Sequence, residues 1–210
     1  MNWANTTLKD FQSALASSDP TPGGGSAAAV ALGQAAALAK MVADLTLGND
    51  KYSDGWVISD SVNSIATPLL EEGLELAQLD SQAFDAVVSG FKLPKSTDEE
   101  KDTRREEIRN SMLGAAKVPY DTACYALELL KLLPDLATLG NENAVSDVGV
   151  SSLLASAALK GAIFNIEINL NSLPESYGVE MRAHLPELSS EAKIHSRLCM
   201  EAVRKRLTNE

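Results

Sequence analysis

The chain has 210 residues, of which 45% are hydrophobic and 22% charged, and this composition excludes a disordered protein. A net charge of −11 argues against a nucleic-acid partner, because proteins that bind nucleic acid normally present a basic face. Aromatic residues make up only 5% while alanine and leucine dominate, which favours helices over sheets.

Capping threonines and helix-breaking stretches rich in proline and glycine predict where the helices of the N-terminal half begin and end. The first helix begins at Thr6 or Thr7, either of which can cap it, and the stretch SSDPTPGGG ends it. A second, alanine-rich helix is expected over about 26–47. A third runs over about 56–91, and Pro68 is expected to kink or divide it.

Four further helical segments are predicted in the C-terminal half. Thr97 and Glu100 have the spacing of a capping box, which starts a helix that should end before Pro119. The following segments end near 139, 170 and 207, with interruptions expected at Pro134 and Pro186. No strand alternation is visible. The sequence therefore predicts one all-α domain over residues 1–210, a single-domain bundle of about six to eight helices.

Three consecutive glycines, Gly23 to Gly25, stand directly before Ser26 and the alanine-rich helix. Ser26 can cap that helix, and the free amides and positive dipole of its first turn favour an anion. The loop could therefore hold a carboxylate or phosphate of a ligand. It lacks the Lys-Ser/Thr ending of a Walker A loop, and a flexible connection is the alternative.

An alanine row on the same helix recurs every four residues and so follows one side of it. Small side chains allow a second backbone to approach closely, which predicts tight packing in the core or at a dimer interface. The row consists of Ala27, Ala31, Ala35 and Ala39.

Asp80 occupies the apolar side of its predicted helix. A carboxylate in such a place is costly unless it is paired or used, and burial would raise its pKa and help it act as a base. The alternative is a structural aspartate bonded to a helix end or an arginine. Its neighbours on that side are Gly73, Leu76, Ala77, Ala83, Phe84 and Val87.

A second stripe mixes small residues with amides on the helix after GNENAVSD, as expected where a polar ligand or another helix comes close. The nearby Asn141, Asn143 and Ser146 can equally cap the helix. The stripe consists of Asp147, Ser151, Leu154, Ala158, Gly161, Asn165 and Asn169.

The two cysteines, Cys124 and Cys199, form no metal-ligand pattern and are expected to be free thiols in a reducing cytoplasm. The N-terminus has no signal-peptide pattern, which also favours a cytoplasmic location. The longest charge-free stretch, 20–39, is too weakly apolar to span a bilayer, so no membrane partner is expected.

Seven motifs together resemble the cyclodeaminase/cyclohydrolase family over about residues 7–170. In chain order they are PTPGGGSAAA, MVADLTLGNDKY, DSQAF, LPKSTDEEK, KVPYDTA, GNENAVSDVGV and GAIFNIEINL. This family includes the cyclodeaminase half of formiminotransferase-cyclodeaminase and bacterial methenyltetrahydrofolate cyclohydrolases.

The resemblance implies an all-helical homodimer that acts on a tetrahydrofolate derivative without a metal or other cofactor. It also implies that Asp80 is catalytic. One departure is Asn49-Asp50-Lys51, where relatives often carry two or three basic residues, and it argues against this loop as the site of the glutamate tail. The residues expected to bind substrate are Gly23, Gly24, Gly25, Ser26, Tyr52, Asn143 and Asp147, with Asn165 from the amide stripe.

Three functions follow from these observations. The first is a methenyltetrahydrofolate cyclohydrolase, in which a carboxylate stabilises the cationic one-carbon bridge and accepts a proton from water. The second is a formiminotetrahydrofolate cyclodeaminase that releases ammonia. The third is a folate-binding helical dimer without turnover, which an intact Asp80 argues against. The absence of a transferase half favours the hydrolase.

Overall fold

A computed structural model describes residues 2–208, which form six α-helices and contain no strand, so the all-α, single-domain prediction is confirmed. Three short 3₁₀ turns lie at Trp3–Asn5, Asp50–Gly55 and Glu142–Ala144. The helices are α1 (Leu8–Leu15), α2 (Gly24–Thr46), α3 (Trp56–Phe91), α4 (Asp98–Leu139), α5 (Val145–Asn171) and α6 (Val179–Thr208).

Two predicted caps are confirmed. The Thr7 hydroxyl accepts a hydrogen bond from the Asp10 amide at the start of α1. Thr97 and Glu100 make the reciprocal bonds of a capping box at the start of α4. The core lies between α2, α3, α4 and α5, and its largest wholly buried side chains include Leu32, Leu129, Leu130, Leu133, Leu136, Leu159 and Ile166.

The helix ends and divisions predicted at prolines are wrong, whereas a kink at Pro68 stays a prediction. α3 continues through Pro68, α4 through Pro119 and Pro134, and α6 through Pro186. A proline inside a helix costs about 3 kcal/mol or more, because it removes one hydrogen bond and crowds the preceding turn. The leucines and alanines that α4 buries on either side of its two prolines outweigh that cost.

The alanine row of α2 does not stay on one face. Ala35 and Ala39 are wholly buried, whereas Ala27 and Ala31 are only partly buried. Four residues turn an α-helix by about 400°, so a four-residue row drifts about 40° at each step and passes from the outer face into the core. The outer face of α2 continues instead toward Met41, which is 40% exposed.

α2 and α3 cross at two glycines. A Cβ added to Gly73 would lie 2.9 Å from the Cα of Gly33 and 3.0 Å from the carbonyl oxygen of Ala29. Ser26 precedes Gly33 by seven residues and Asp80 follows Gly73 by seven. Because the helices run antiparallel, both side chains reach the same level, about 10 Å from the crossing.

Gly73→Ala should lower the free energy of unfolding by about 1–3 kcal/mol, because the methyl group meets backbone atoms that cannot move aside independently. Denaturant unfolding followed by circular dichroism measures this. Gly114→Ala in α4 is the control, because a Cβ there meets nothing within 4 Å and alanine favours the helix. Equal stability of the two variants would contradict a crossing that requires glycine.

Candidate active site

Asp80 lies against the first turn of α2. Its Oδ2 atom accepts a hydrogen bond of 2.8 Å from the hydroxyl of Ser26. A Cβ on Gly25 would stand only 2.1 Å from Oδ1, so the carboxylate occupies the space that any other side chain would fill. The anion at the positive end of α2 is therefore the protein's own carboxylate, and not a ligand's as the glycine loop suggested.

The start of α2 differs from the prediction by two residues. The helix begins at Gly24, and Gly23 occupies the cap position without a side-chain hydrogen bond. Ser26 thus lies inside the first turn and does not cap the helix. Its hydroxyl is wholly buried and is turned to Asp80 instead.

Burial raises the pKa of the Asp80 carboxyl above its ordinary value. The hydroxyl and the backbone amide of Ser26 act in the opposite direction, because both stabilise the ionised form, but they do not cancel the effect of burial. A carboxylate with a raised pKa is a stronger proton acceptor than an exposed aspartate, which suits a general base.

A chain of hydrogen bonds extends from Asp80 to the N-terminal 3₁₀ turn. The indole Nε1 of Trp3 donates to the Ser81 hydroxyl at 2.9 Å, and the hydroxyls of Ser81 and Ser26 are 3.1 Å apart. Each hydroxyl has one proton, so when Ser26 donates to Asp80, Ser81 donates to Ser26. Trp3 and Ser81 were not predicted from the sequence, because no local pattern links residues 78 positions apart.

Trp3→Phe should reduce turnover about fivefold with the substrate KM nearly unchanged, since it removes one hydrogen bond, worth about 1 kcal/mol, that orients the serines behind Asp80. Steady-state kinetics measures both constants. Trp56→Phe is a matched control, because the buried Nε1 of Trp56 has no hydrogen-bond partner within residues 2–208. A Trp3 variant that matches this control would show that the chain does not position Asp80.

Asp80 opens into a pocket of about 180 Å³ between α2, α3, α4 and α5. The sequence predicted that the whole apolar stripe around Asp80 is buried. Leu76 and Ala77 are buried, but Phe84 stands at this pocket and is 41% exposed. No lysine or arginine of the described residues, 2–208, lines the pocket. Its lining residues are Pro20, Thr21, Gly23, Gly24, Gly25, Asp80, Phe84, Ala115, Asn165 and Asn169.

Two asparagines supply hydrogen-bond acceptors to this pocket. The Nδ2 atom of Asn165 donates to the Gly161 carbonyl at 2.8 Å, and Nδ2 of Asn169 donates to the carbonyls of Asn165 and Ala115. The Ala115 carbonyl has no helical partner because residue 119 is a proline. Neither side-chain oxygen accepts a hydrogen bond from the described part of the chain, so both can accept from a ligand.

The structure places the other predicted site residues elsewhere. Tyr52 is buried in the 3₁₀ turn after α2. Asn143 lies in the 3₁₀ turn before α5, and Asp147 lies in the first turn of α5. The turn before α5 hydrogen-bonds to the last turn of α2, so all three belong to that end of the bundle. The 23 residues of α2 separate this end from Asp80 by about 30 Å. Within one chain, these residues do not form a single site with Asp80.

A family model described as formiminotransferase-cyclodeaminase matches residues 7–185. The chain is 35% identical to a methenyltetrahydrofolate cyclohydrolase of Methylorubrum extorquens, covering 97% of this chain and 98% of that protein. It is 30% identical to the formimidoyltransferase-cyclodeaminase of Mus musculus, of which it spans 38%. The crystal structure of a formiminotetrahydrofolate cyclodeaminase from Thermotoga maritima superposes with a TM-score of 0.79 at 28% identity, covering 98% of this chain and 97% of that one.

Proposed function

Because the chain belongs to the formiminotransferase-cyclodeaminase family, we propose that it is a methenyltetrahydrofolate cyclohydrolase, which converts 5,10-methenyltetrahydrofolate to 10-formyltetrahydrofolate. The observation that carries the proposal is the half-buried Asp80 carboxylate in a pocket with asparagine oxygens and no basic side chain. Such a pocket favours a ligand that is cationic and rich in N–H donors. A folate whose one-carbon bridge is an amidinium ion meets both conditions.

Asp80 stabilises this cation when the bridging carbon lies beside its carboxylate, since attraction between opposite charges is strong where water is excluded. The side-chain oxygens of Asn165 and Asn169 accept hydrogen bonds from the ring system. Phe84 offers an exposed aromatic face on which a planar ring can stack. The glycines at the start of α2 leave the opposite wall free of side chains.

Hydrolysis begins when Asp80 accepts a proton from a water molecule that attacks the bridging carbon. A new C–O bond forms, and the carbon becomes tetrahedral and bonded to both N5 and N10. The C–N5 bond then breaks, its electron pair stays on N5, and N5 takes the proton that Asp80 holds. The hydroxyl oxygen loses its remaining proton to solvent and forms the C=O bond of the formyl group. The products are 10-formyltetrahydrofolate and one released proton. The steps use only substrate, water and Asp80, so we propose that no metal or further cofactor takes part.

Two assays test this function. The loss of methenyl absorbance on addition of purified protein measures the hydrolase, and ammonia release from 5-formiminotetrahydrofolate measures the cyclodeaminase. Ammonia release that is faster than hydrolysis would favour the cyclodeaminase, the activity in the names of the mouse and Thermotoga relatives. Folate binding without either activity would instead support the third function, a folate-binding dimer without turnover.

We propose that a second copy of the chain covers the outer faces of α2 and α5. These faces carry large exposed apolar side chains, among them Leu45 (50% exposed), Leu153 (54%), Phe164 (70%) and Ile168 (67%). α2 and the segment Glu142–Asn171 are long and apolar enough to cross a bilayer, but about half of each is buried inside the bundle. We therefore assign their exposed halves to a homodimer and not to a membrane.

A two-fold axis near the middle of α2 would bring the Tyr52 end of one copy to the Asp80 end of the other. This arrangement would reunite Tyr52, Asn143 and Asp147 with the glycine turn in a shared site. A mixture of inactive Asp80→Asn and Tyr52→Phe chains, exchanged between dimers, should then recover about a quarter of wild-type activity. A monomeric mass at micromolar concentration, or no recovery, would contradict the shared site.

We also propose a cytoplasmic location. Cys199 is buried and Cys124 partly buried, and both are free thiols. Burial raises the pKa of the Cys199 thiol to about 11, so this cysteine resists oxidation and suits a structural role. Fractionation of cells that produce the protein would test its location.

A further inference from the structure

Four prolines lie inside helices of the described chain, and each leaves the carbonyl four residues before it without the usual helical donor. The four carbonyls belong to Ser64, Ala115, Leu130 and Arg182, which precede Pro68, Pro119, Pro134 and Pro186. Within residues 2–208, the Ala115 carbonyl alone among them accepts a hydrogen bond from a side chain. The donor is Nδ2 of Asn169 on α5, at 3.2 Å. The amide that Pro119 lacks thus makes room for a contact between two helices.

This contact holds the Asn169 side chain in one orientation. Its Nδ2 atom also donates to the carbonyl of Asn165, at 2.8 Å. An amide nitrogen carries two hydrogens, so the two carbonyls use both of them. A reversed amide would place its oxygen against two carbonyl oxygens, which would repel it. Asn169 therefore keeps its nitrogen on the protein side and its Oδ1 atom free for a ligand in the pocket that it lines.

Any other residue at position 119 would bring back a backbone N–H group. This group would donate to the Ala115 carbonyl, as in an ordinary α-helix, and would draw the oxygen toward the axis of α4. One hydrogen of the Asn169 amide would then lose its acceptor, and the side chain could rotate or reverse. A reversed amide would offer a ligand two N–H donors in place of an acceptor.

We propose that Pro119 is a positioning residue for substrate binding, which acts through the Ala115 carbonyl and the Asn169 side chain. The inference rests on the proposed function, because the reduced folate ring system carries N–H groups that the Asn169 oxygen can accept. Pro119 is buried in α4 and does not line the pocket, so it acts without touching the substrate. A hydrogen bond to a part of the ring that does not react is equally strong before and during the reaction, so its loss raises KM and spares kcat.

The test compares Pro119→Ala with Pro134→Ala, which removes a second proline from the same helix. Alanine favours the helix in both variants. Pro119→Ala should raise the KM for 5,10-methenyltetrahydrofolate about five- to tenfold, as expected for one lost hydrogen bond, with kcat within about twofold of wild type. Pro134→Ala should change neither constant, because no side chain within residues 2–208 donates to the Leu130 carbonyl. Equal effects of the two variants would overturn the inference.

A double variant separates positioning from packing. Asn169→Ala should raise KM at least as far as Pro119→Ala, and the combination of both should have the KM of Asn169→Ala alone. Losses that add up would show that the buried proline acts through packing, and they would overturn the inference. An unchanged KM of Asn169→Ala would do the same, even if Pro119→Ala failed to fold. Circular dichroism and melting temperatures show which variants are folded.

The orientation of Asn169 can also be measured without a ligand. In wild-type protein both Nδ2 hydrogens are bonded, so NMR should show that both exchange slowly with solvent. Pro119→Ala should accelerate the exchange of one of them, whereas Pro134→Ala should accelerate neither. Unchanged exchange in Pro119→Ala would overturn the inference, because the proline would then not be what holds the side chain.

Binding of 5-formyltetrahydrofolate, which needs no turnover, separates this inference from the proposed function. Equilibrium dialysis should give Pro119→Ala a Kd about five- to tenfold above those of wild-type protein and Pro134→Ala. If wild-type protein binds this folate but hydrolyses no methenyl substrate, the proposed hydrolase function fails and the Kd values still test Pro119. If the methenyl substrate is hydrolysed but the three proteins share one Kd, the positioning role of Pro119 fails alone.

Discussion

Asp80→Asn should yield a folded protein that binds folate but has lost about 10²–10⁴-fold of its turnover. Asparagine keeps the shape of the side chain, and its oxygen can still accept the hydrogen bond from Ser26. It cannot accept a proton from water or oppose the charge of the methenyl bridge. The rate of methenyl absorbance loss under saturating substrate measures turnover, and equilibrium dialysis measures binding.

The same variant should melt at a temperature no lower than wild-type protein at neutral pH. Burial raises the pKa of Asp80 in the folded state above its unfolded value, so the folded state binds this proton more readily. Protonation of Asp80 therefore stabilises the folded protein. This stabilisation is fully present below the pKa of Asp80 in the unfolded state and is lost as the pH rises through its pKa in the folded state. Ionised Asp80 therefore lowers stability at neutral pH, and asparagine removes that cost.

A structural aspartate would give the opposite pair of results. Asp80→Asn would then lower the melting temperature and leave turnover per folded molecule nearly intact. Wild-type turnover should also fall as the pH is lowered toward the raised pKa of Asp80, and a flat profile down to the range of an ordinary carboxyl group would speak against a general base.

Gly25→Ala should lower turnover by about 100-fold while the protein stays folded. The new Cβ would lie 2.1 Å from Oδ1 and 2.6 Å from Cγ of Asp80, so the carboxylate must rotate away from its place on α2. A displacement of about 1 Å at a reacting group can cost a factor of about 100 in rate. Stopped-flow measurement of methenyl hydrolysis gives the turnover of the variant.

Gly24→Ala is the matched control in the same helical turn. A Cβ there would lie 3.7 Å from Nδ2 of Asn165, an ordinary van der Waals contact that leaves Asp80 in place, so kcat should stay within a few-fold of wild type. Because Gly24 lines the pocket, the added methyl group should raise the substrate KM instead. A clash specific to Asp80 also predicts that Gly25→Ala adds little loss to Asp80→Asn. Full activity of Gly25→Ala would mean that Asp80 tolerates another position.

The sequence predicted the helix starts correctly where the capping hydrogen bonds join residues close in sequence. The capping box at Thr97 and the cap at Thr7 are satisfied within one turn, and a short window of sequence contains both partners. Breaks at Pro119 and Pro134 were wrong, because the competing stabilisation comes from helices distant in sequence. α4 packs against α3, α5 and α6, and no property of α4 alone reveals this.

Helical phase was sufficient to single out Asp80, since a lone carboxylate on an apolar face is visible from its own helix. Its contacts were predicted less well, because they come from other segments. Ser26 was expected to cap α2 and bind substrate, not to donate to Asp80, and Trp3 was not predicted at all. The family resemblance grouped Tyr52 with Asp80, but one folded chain separates them. Their common role in substrate binding stays a prediction that the dimer experiment tests.

The angle at which α2 and α3 cross sets the distance between Ser26 and Asp80. Gly33 and Gly73 form the contact between the helices, and Ser26 and Asp80 each lie about 10 Å from it along their own helix. A rotation of either helix by about 10° would displace these groups by about 2 Å, enough to break their hydrogen bond. Substitutions deep in the core that never touch substrate could thus tune the rate, and directed evolution of this scaffold should find them around the pivot.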